Sequence, residues 1–108
     1  MATVAPMPGI SWSEHEREHI GRLESLCRDA PDWEMECSHT DDGDPWCIIY
    51  DRLHHRTLLH IARIDRRYLI VWPEQQKSVR TATIAKAVDM AVADLGSQIA
   101  FPRTSGRG

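Results

Sequence analysis

The stretch from Asp41 to Pro73, DDGDPWCIIYDRLHHRTLLHIARIDRRYLIVWP, constrains the fold more than any other part of the chain. Its apolar residues come in three runs, Trp46 to Tyr50, Leu58 to Ile64 and Tyr68 to Trp72, rich in β-branched and aromatic side chains and broken by polar turn residues. That is the pattern of consecutive strands carrying apolar side chains on both faces. A sheet apolar on both sides needs two covers, and the rest of the sequence predicts two short helices, enough for one. The mismatch points to self-association or to a protein partner.

Ser13 followed by Glu16 forms a capping box that opens a helix to about Asp29, with His19, Ile20, Leu23, Leu26 and Cys27 along one stripe. Ala30-Pro31 closes it, because the residue before proline is pushed out of the helical region. From Trp33 the period becomes two, with Trp33, Met35, Cys37 and His39 alternating with Glu34, Glu36 and Ser38. Thr40 to Pro45 is a dense turn signal, so Trp46 to Asp51 returns as a hairpin strand. Thr57 to Ile64 and Arg67 to Trp72 complete a four-stranded antiparallel meander, stopped by Pro73. After a polar loop, Arg80 to Leu95 repeats Ile84, Val88, Ala91, Val92 and Leu95 at helical spacing, with Thr81 as expected N-cap and Gly96 at the C-cap. The expected fold is α+β in the order α-β-β-β-β-α, a four-stranded meander flanked by two helices on one face. Residues 1–12 read as a flexible leader, 13–96 as a single domain and 97–108 as a disordered tail.

In paired antiparallel strands opposite residues share a face, so parity carries from strand to strand through each turn. The simplest registers assign Trp33, Met35, Cys37, Trp46, Ile48, Tyr50, Leu59, Ile61, Tyr68, Ile70 and Trp72 to the face under the helices. They assign Cys47, Ile49, Leu58, His60, Ala62, Ile64, Leu69 and Val71 to the other face. Ile49, Leu58, His60, Ile64, Leu69 and Val71 are thereby the expected anchors of an interface, for a homodimer or for a protein partner.

Chemistry has weaker signals. His15-Glu16-Arg17-Glu18-His19 matches the HExxH pattern, which in a helix sets two imidazoles one turn apart with a glutamate to polarise a metal-bound water. A zinc hydrolase built on His15, Glu16 and His19 is the alternative from the enzyme class, but Glu16 already serves the capping box and no third ligand is evident. Cys37, His39, Cys47, His54, His55 and His60 include zinc-type ligands, yet parity scatters them over both faces. The Asp41, Asp42 and Asp44 turn lacks the spacing of a calcium loop. No phosphate loop or nucleophile elbow is present. The reading is therefore a non-enzymatic module with no catalytic residue, metal or other cofactor.

The chain carries a formal charge of −3, which gives no global positive field for nucleic acid or anionic lipid. Helix, strands, helix is also the element order of double-stranded-RNA-binding domains, which makes RNA binding through Lys77, Arg80 and Lys86 a further alternative. Those cations are few, and Glu34, Glu36 and the aspartate turn oppose phosphate, so nucleic acid is not the expected partner. No apolar run is long enough for a signal peptide or a membrane span. The odd count of three cysteines without a C-x-x-C pair reads as reduced thiols and a cytoplasmic location.

The blocks Asp44-Pro45-Trp46-Cys47-Ile48-Ile49 and His60-Ile61-Ala62-Arg63-Ile64-Asp65-Arg66-Arg67-Tyr68-Leu69 resemble a small, functionally uncharacterised domain of alphaproteobacteria such as rhizobial relatives. The resemblance spans Gly43 to Trp72. It departs at Cys47, where that pattern carries an aromatic, and at Arg66, where it carries glycine. It implies a bacterial intracellular module and assigns no activity.

Overall fold

Local hairpins between consecutive strands build the whole sheet, so its spatial order is its sequence order. The computed structural model describes residues 12–100. Helix α1 spans Glu14–Arg28, and strands follow as β1 (Trp33–His39), β2 (Pro45–Asp51), β3 (Arg56–Ile64), β4 (Arg67–Trp72) and β5 (Lys77–Thr81), before helix α2 (Ile84–Ala100). The sheet is antiparallel throughout, in the order β1-β2-β3-β4-β5. The class is α+β as expected, with five strands rather than four. Lys77–Thr81 reads as loop and helix start in the sequence because an edge strand has one covered face and here offers it only Val79 between charged and polar residues. It pairs with β4 from Tyr68↔Thr81 to Trp72↔Lys77.

Both helix ends follow from local chemistry. Ser13 Oγ accepts the Glu16 amide at 3.1 Å and Glu16 Oε1 accepts the Ser13 amide at 2.8 Å, the predicted capping box. At α2 both expected caps shift toward the C-terminus. Thr83 Oγ1 accepts the Lys86 amide at 3.1 Å, while Thr81, the expected N-cap, ends β5 and donates its hydroxyl to the Thr83 carbonyl. The helix then runs through Gly96 to Ala100, past the expected end of the domain at 96.

The helices pack on each other and on one face of the sheet, α1 against β1 and α2 against β4 and β5. Ile20 and Leu23 of α1, with Ile84, Ala87, Val88, Ala91 and Leu95 of α2, close over Cys47, Ile49, Leu59, Ile61, Ile70 and Trp72. Trp12, which the sequence places in the leader, is part of this core, and its indole Nε1 lies 3.1 Å from Cys47 Sγ. The rest of the expected leader and most of the expected tail lie outside the described residues.

One strand is inverted relative to the parity reading. Cys37 pairs with Cys47 and Met35 with Ile49 across a five-residue connection, so the odd-numbered residues of β2 face the helices. Asp51 pairs with Arg56 and Tyr50 with Thr57, as a simple turn demands, but a bulge between Ile49 and Tyr50 shifts the register so that Ile49 meets Leu59. Leu58 is the extra residue. Ile49 and Leu58 are therefore core residues, fully and nearly fully buried, and not interface anchors. Trp46, Ile48 and Tyr50 take the opposite face. The two departures cancel, so β1, β3 and β4 keep the expected facing.

Candidate functional site

The face away from the helices is a ladder of aligned rows. Reading from β1 to β5, one row is Ser38, Trp46, Ala62, Leu69 and Arg80, and the next is Glu36, Ile48, His60, Val71 and Ser78. Glu34, Tyr50 and Thr57 begin a third, and Ile64 with Arg67 closes the end near the β3–β4 turn. Its centre is aromatic and aliphatic and its margins are polar, the distribution of a recognition surface. Among the described residues no helix covers it. Of the expected anchors, His60, Ile64, Leu69 and Val71 do lie here, with Ile64 39% exposed.

His60 occupies the central strand of this face. Its ring meets the Trp46 indole edge to face, with centroids 5.8 Å apart. Nε2 is buried and has no hydrogen-bond partner among the described residues, whereas buried polar atoms in native proteins are paired in the great majority of cases. Its direct cross-strand neighbours are Ile48 and Val71. Burial without a polar partner pulls the imidazole pKa below its ordinary value.

Charge is divided between the flanks of the same end. Glu36 on β1 and the Asp41-Asp42 turn are exposed on one side, and Arg66, Arg67 and Arg80 are exposed on the other. The acidic turn is fixed by hydrogen bonds from the Gly43 amide to the Thr40 carbonyl and from the Asp44 amide to Thr40 Oγ1, with Gly43 at φ 91°. The basic turn is a two-residue hairpin in which Asp65 and Arg66 both take positive φ, 52° and 64°. This is the twist a two-residue loop requires, and glycine or asparagine usually supplies it.

The HExxH residues do not form a metal centre. Glu16 is buried, its Oε1 accepts Arg63 Nη1 at 2.6 Å and the Ser13 amide, and its Oε2 accepts the Tyr68 hydroxyl at 2.6 Å. Burial works to raise its pKa, but the bonds from Tyr68, Ser13 and Arg63 prevail and hold it below the usual carboxylate range. The Tyr68 phenol is pushed up to about 12 by burial and by that carboxylate. Glu16 is thus the tie between the start of α1 and the β3–β4 hairpin, and it is not available to polarise a water. His15 and His19 stack edge to face on the helix, with centroids 5.0 Å apart. A signal for the tie does exist in the residues themselves: Arg63 and Tyr68 are cross-strand partners on the covered face, and an arginine there demands a buried acid.

The cysteines are the second correction. Cys37 and Cys47 form a disulfide across β1 and β2, with Cα atoms 4.0 Å apart, the close spacing of a directly opposed antiparallel pair. Cys37 is exposed, Cys47 is fully buried, and Cys27 is free. The expected reduced thiols, which parity puts on opposite faces, share one face because β2 is inverted. Among the described residues no group of three or more His, Cys, Asp or Glu is arranged to hold a metal ion.

The other polar features are closed on themselves. A cleft of about 130 Å³ lies between β3, the 3₁₀ turn Pro73–Gln75 and α2. Its charged walls pair internally: Arg56 Nη1 with Glu74 at 2.9 Å, and Trp72 Nε1 and Gln98 Nε2 with Asp94 at 3.0 and 2.9 Å. Behind it, buried Asp51 accepts from the Leu53 and His54 amides and pairs with the His54 ring and Arg56 Nε. The cations of the RNA reading do not converge either. Lys77 lies over the Trp72 ring, 4.8 Å from its centroid, on the covered side, whereas Arg80 is three residues along β5 on the opposite side.

No helix among the described residues is long and apolar enough to cross a membrane. Comparisons with protein-family models, with curated proteins and with solved structures find no match to this chain.

Proposed function

We propose that this chain is a non-enzymatic protein-binding module that works through the uncovered face of its sheet. The observation that carries the reading is His60, whose buried Nε2 lacks a partner among the described residues at the centre of a surface made of Trp46, Ile48, Tyr50, Leu69 and Val71. A polar atom kept dry beneath apolar side chains marks a face that water hydrates poorly, and such a face is what a docked partner covers. The cleft and the buried carboxylates support no competing activity, because Glu16, Asp51 and Glu74 are paired with arginines and Asp94 is already bound by the Trp72 and Gln98 side chains. The bacterial kinship suggested by the DGDPW and HIARID blocks fits a small adaptor of this kind. Its intracellular placement loses one support, since a Cys37–Cys47 bond belongs to oxidising surroundings more than to a reducing cytoplasm.

Hydroxyl-radical footprinting of the dilute full chain tests the reading. Trp46 and Tyr50 should be labelled readily and Trp72, nearly fully buried in the core, should be protected. Protection of Trp46 and Tyr50 in a chain shown to be monomeric would mean that the chain covers its own face, and the module would have no such surface to offer.

A further inference from the structure

Resting on the reading of the uncovered face as a binding surface, we infer that its occupant is a second copy of this chain, stacked face to face about a two-fold axis parallel to β3. Two sheets packed through their apolar faces lie about 10 Å apart with strands within about 30° of alignment. An isologous pair of this kind has two simple choices of axis. An axis across the strands lays β1 on the partner's β1 and β5 on the partner's β5 and reverses position along them, so Glu36, near mid-strand, meets its own copy and the acidic turn of one chain does not reach Arg66, Arg67 and Arg80 of the other. An axis along the strands preserves position along them and exchanges the flanks. The acidic side of one copy, Glu36 with the Asp41-Asp42 turn, then faces the basic side of the other, Arg66, Arg67 and Arg80, and the contact occurs twice.

Pairing geometry makes that match possible. The Thr40–Asp44 connection and the Ile64–Arg67 turn lie at the same end of the sheet, since Ser38, Trp46, Ala62, Leu69 and Arg80 form one row just below both. β3 is the middle strand of five, so the exchange of flanks leaves the apolar centre over the apolar centre. His60 lies beside the axis, and the imidazoles of the two copies meet there. The chain thus carries both halves of its own complement.

Sedimentation and light scattering on the full chain across a wide concentration range, with charge-reversal variants, provide the test. Wild type should approach twice the 12.3 kDa of one chain. The acid-to-base variant Glu36→Arg with Asp41→Arg, and the base-to-acid variant Arg67→Glu with Arg80→Glu, should each weaken self-association by at least about tenfold. An equimolar mixture of the two should restore a dimer, because every flank contact again joins opposite charges. Circular dichroism verifies that each variant is folded, as substitutions at these exposed positions allow. A wild type that stays monomeric, reversals without effect, or a mixture that fails to associate would each overturn the second copy as occupant. Footprinting in the same samples separates that failure from failure of the binding-face reading: Trp46 and Tyr50 labelled in a monomer leave the open face standing for another protein, and Trp46 and Tyr50 protected in a monomer remove both.

Discussion

The two faces of the sheet are built from the same kinds of residue and differ in what closes over them. On the covered face, Cys47, Ile49, Leu59, Ile61 and Ile70 are all fully buried beneath the helices, and its polar members are neutralised by named partners, Arg63 and Tyr68 by Glu16 and Arg56 by Asp51. On the open face, Ile48, Leu69 and Val71 are only half-buried, and His60 keeps a nitrogen unpaired among the described residues. Apolar composition alone therefore does not distinguish core from surface here. The distinction lies in the completeness of the polar pairing, because an interior cannot leave a donor or acceptor unmet without loss of stability.

The sharpest way to break this contrast is to place a carboxylate on adjacent residues of β2. Ile49→Asp should cost about 4 kcal/mol or more, since it buries an unpaired charge in the core. Ile48→Asp should cost about 1 kcal/mol or less in the dilute monomer. Urea unfolding of both variants measures the difference, and similar midpoints would show that the strand does not divide the two faces as described.

The covered face is also cross-linked. Reduction, or Cys37→Ser, should lower stability by about 2–3 kcal/mol, as expected for a disulfide closing a loop of about ten residues. Thermal unfolding with and without a thiol reductant measures it, and a midpoint indifferent to reductant would contradict the bond.

Glu16→Gln probes the buried tie and should cost about 2 kcal/mol at neutral pH, because two charge-assisted bonds weaken together. The folded carboxyl has a pKa below its ordinary 4.5. Its contribution is thus complete above about pH 4.5 and is lost as pH falls through the folded value. The variant should show a flatter decline in stability over that acid range when unfolding is followed against pH.

His60 supplies the smallest effect and the counterpart from the open face. Its folded pKa is depressed below 6.5 by burial, with Ile48 and Val71 opposite it and no charge in those positions. Stability is then fully present above about pH 6.5 and declines as pH falls, because the unfolded chain takes up the proton first. His60→Leu should remove that part of the pH dependence. Stability profiles of wild type and variant that remain parallel between pH 5 and 8 would show that His60 is not the group responsible.

Much of the fold was legible in local pattern. The capping box at Ser13 and Glu16, the alternation of β1, the aspartate-glycine turn and the periodicity of α2 each depend on neighbours within a few residues, where propensity and hydrogen bonding act directly. The open-face candidates split along the same line. His60, Ile64, Leu69 and Val71 were legible because the two-residue turn at Asp65-Arg66 fixes the β3–β4 register. Ile49 and Leu58 were not, because the bulge that moves them has no turn residue to announce it. Trp12 and Arg63 likewise take their roles from residues 35 and 47 positions away.

The sequence by itself determined the class, the strand run and the excess of apolar surface, all of which follow from composition and short-range period. Only the tertiary structure decided which surface is in excess. In a strand with period two, a shift of one residue exchanges the faces, and both shifts that act on β2 arise from pairing rather than from residue type. Packing against α1 and α2 selected Cys47 and Ile49 for the interior, joined Cys37 to Cys47, and left Trp46, Ile48 and Tyr50 on the side that no helix covers among the described residues.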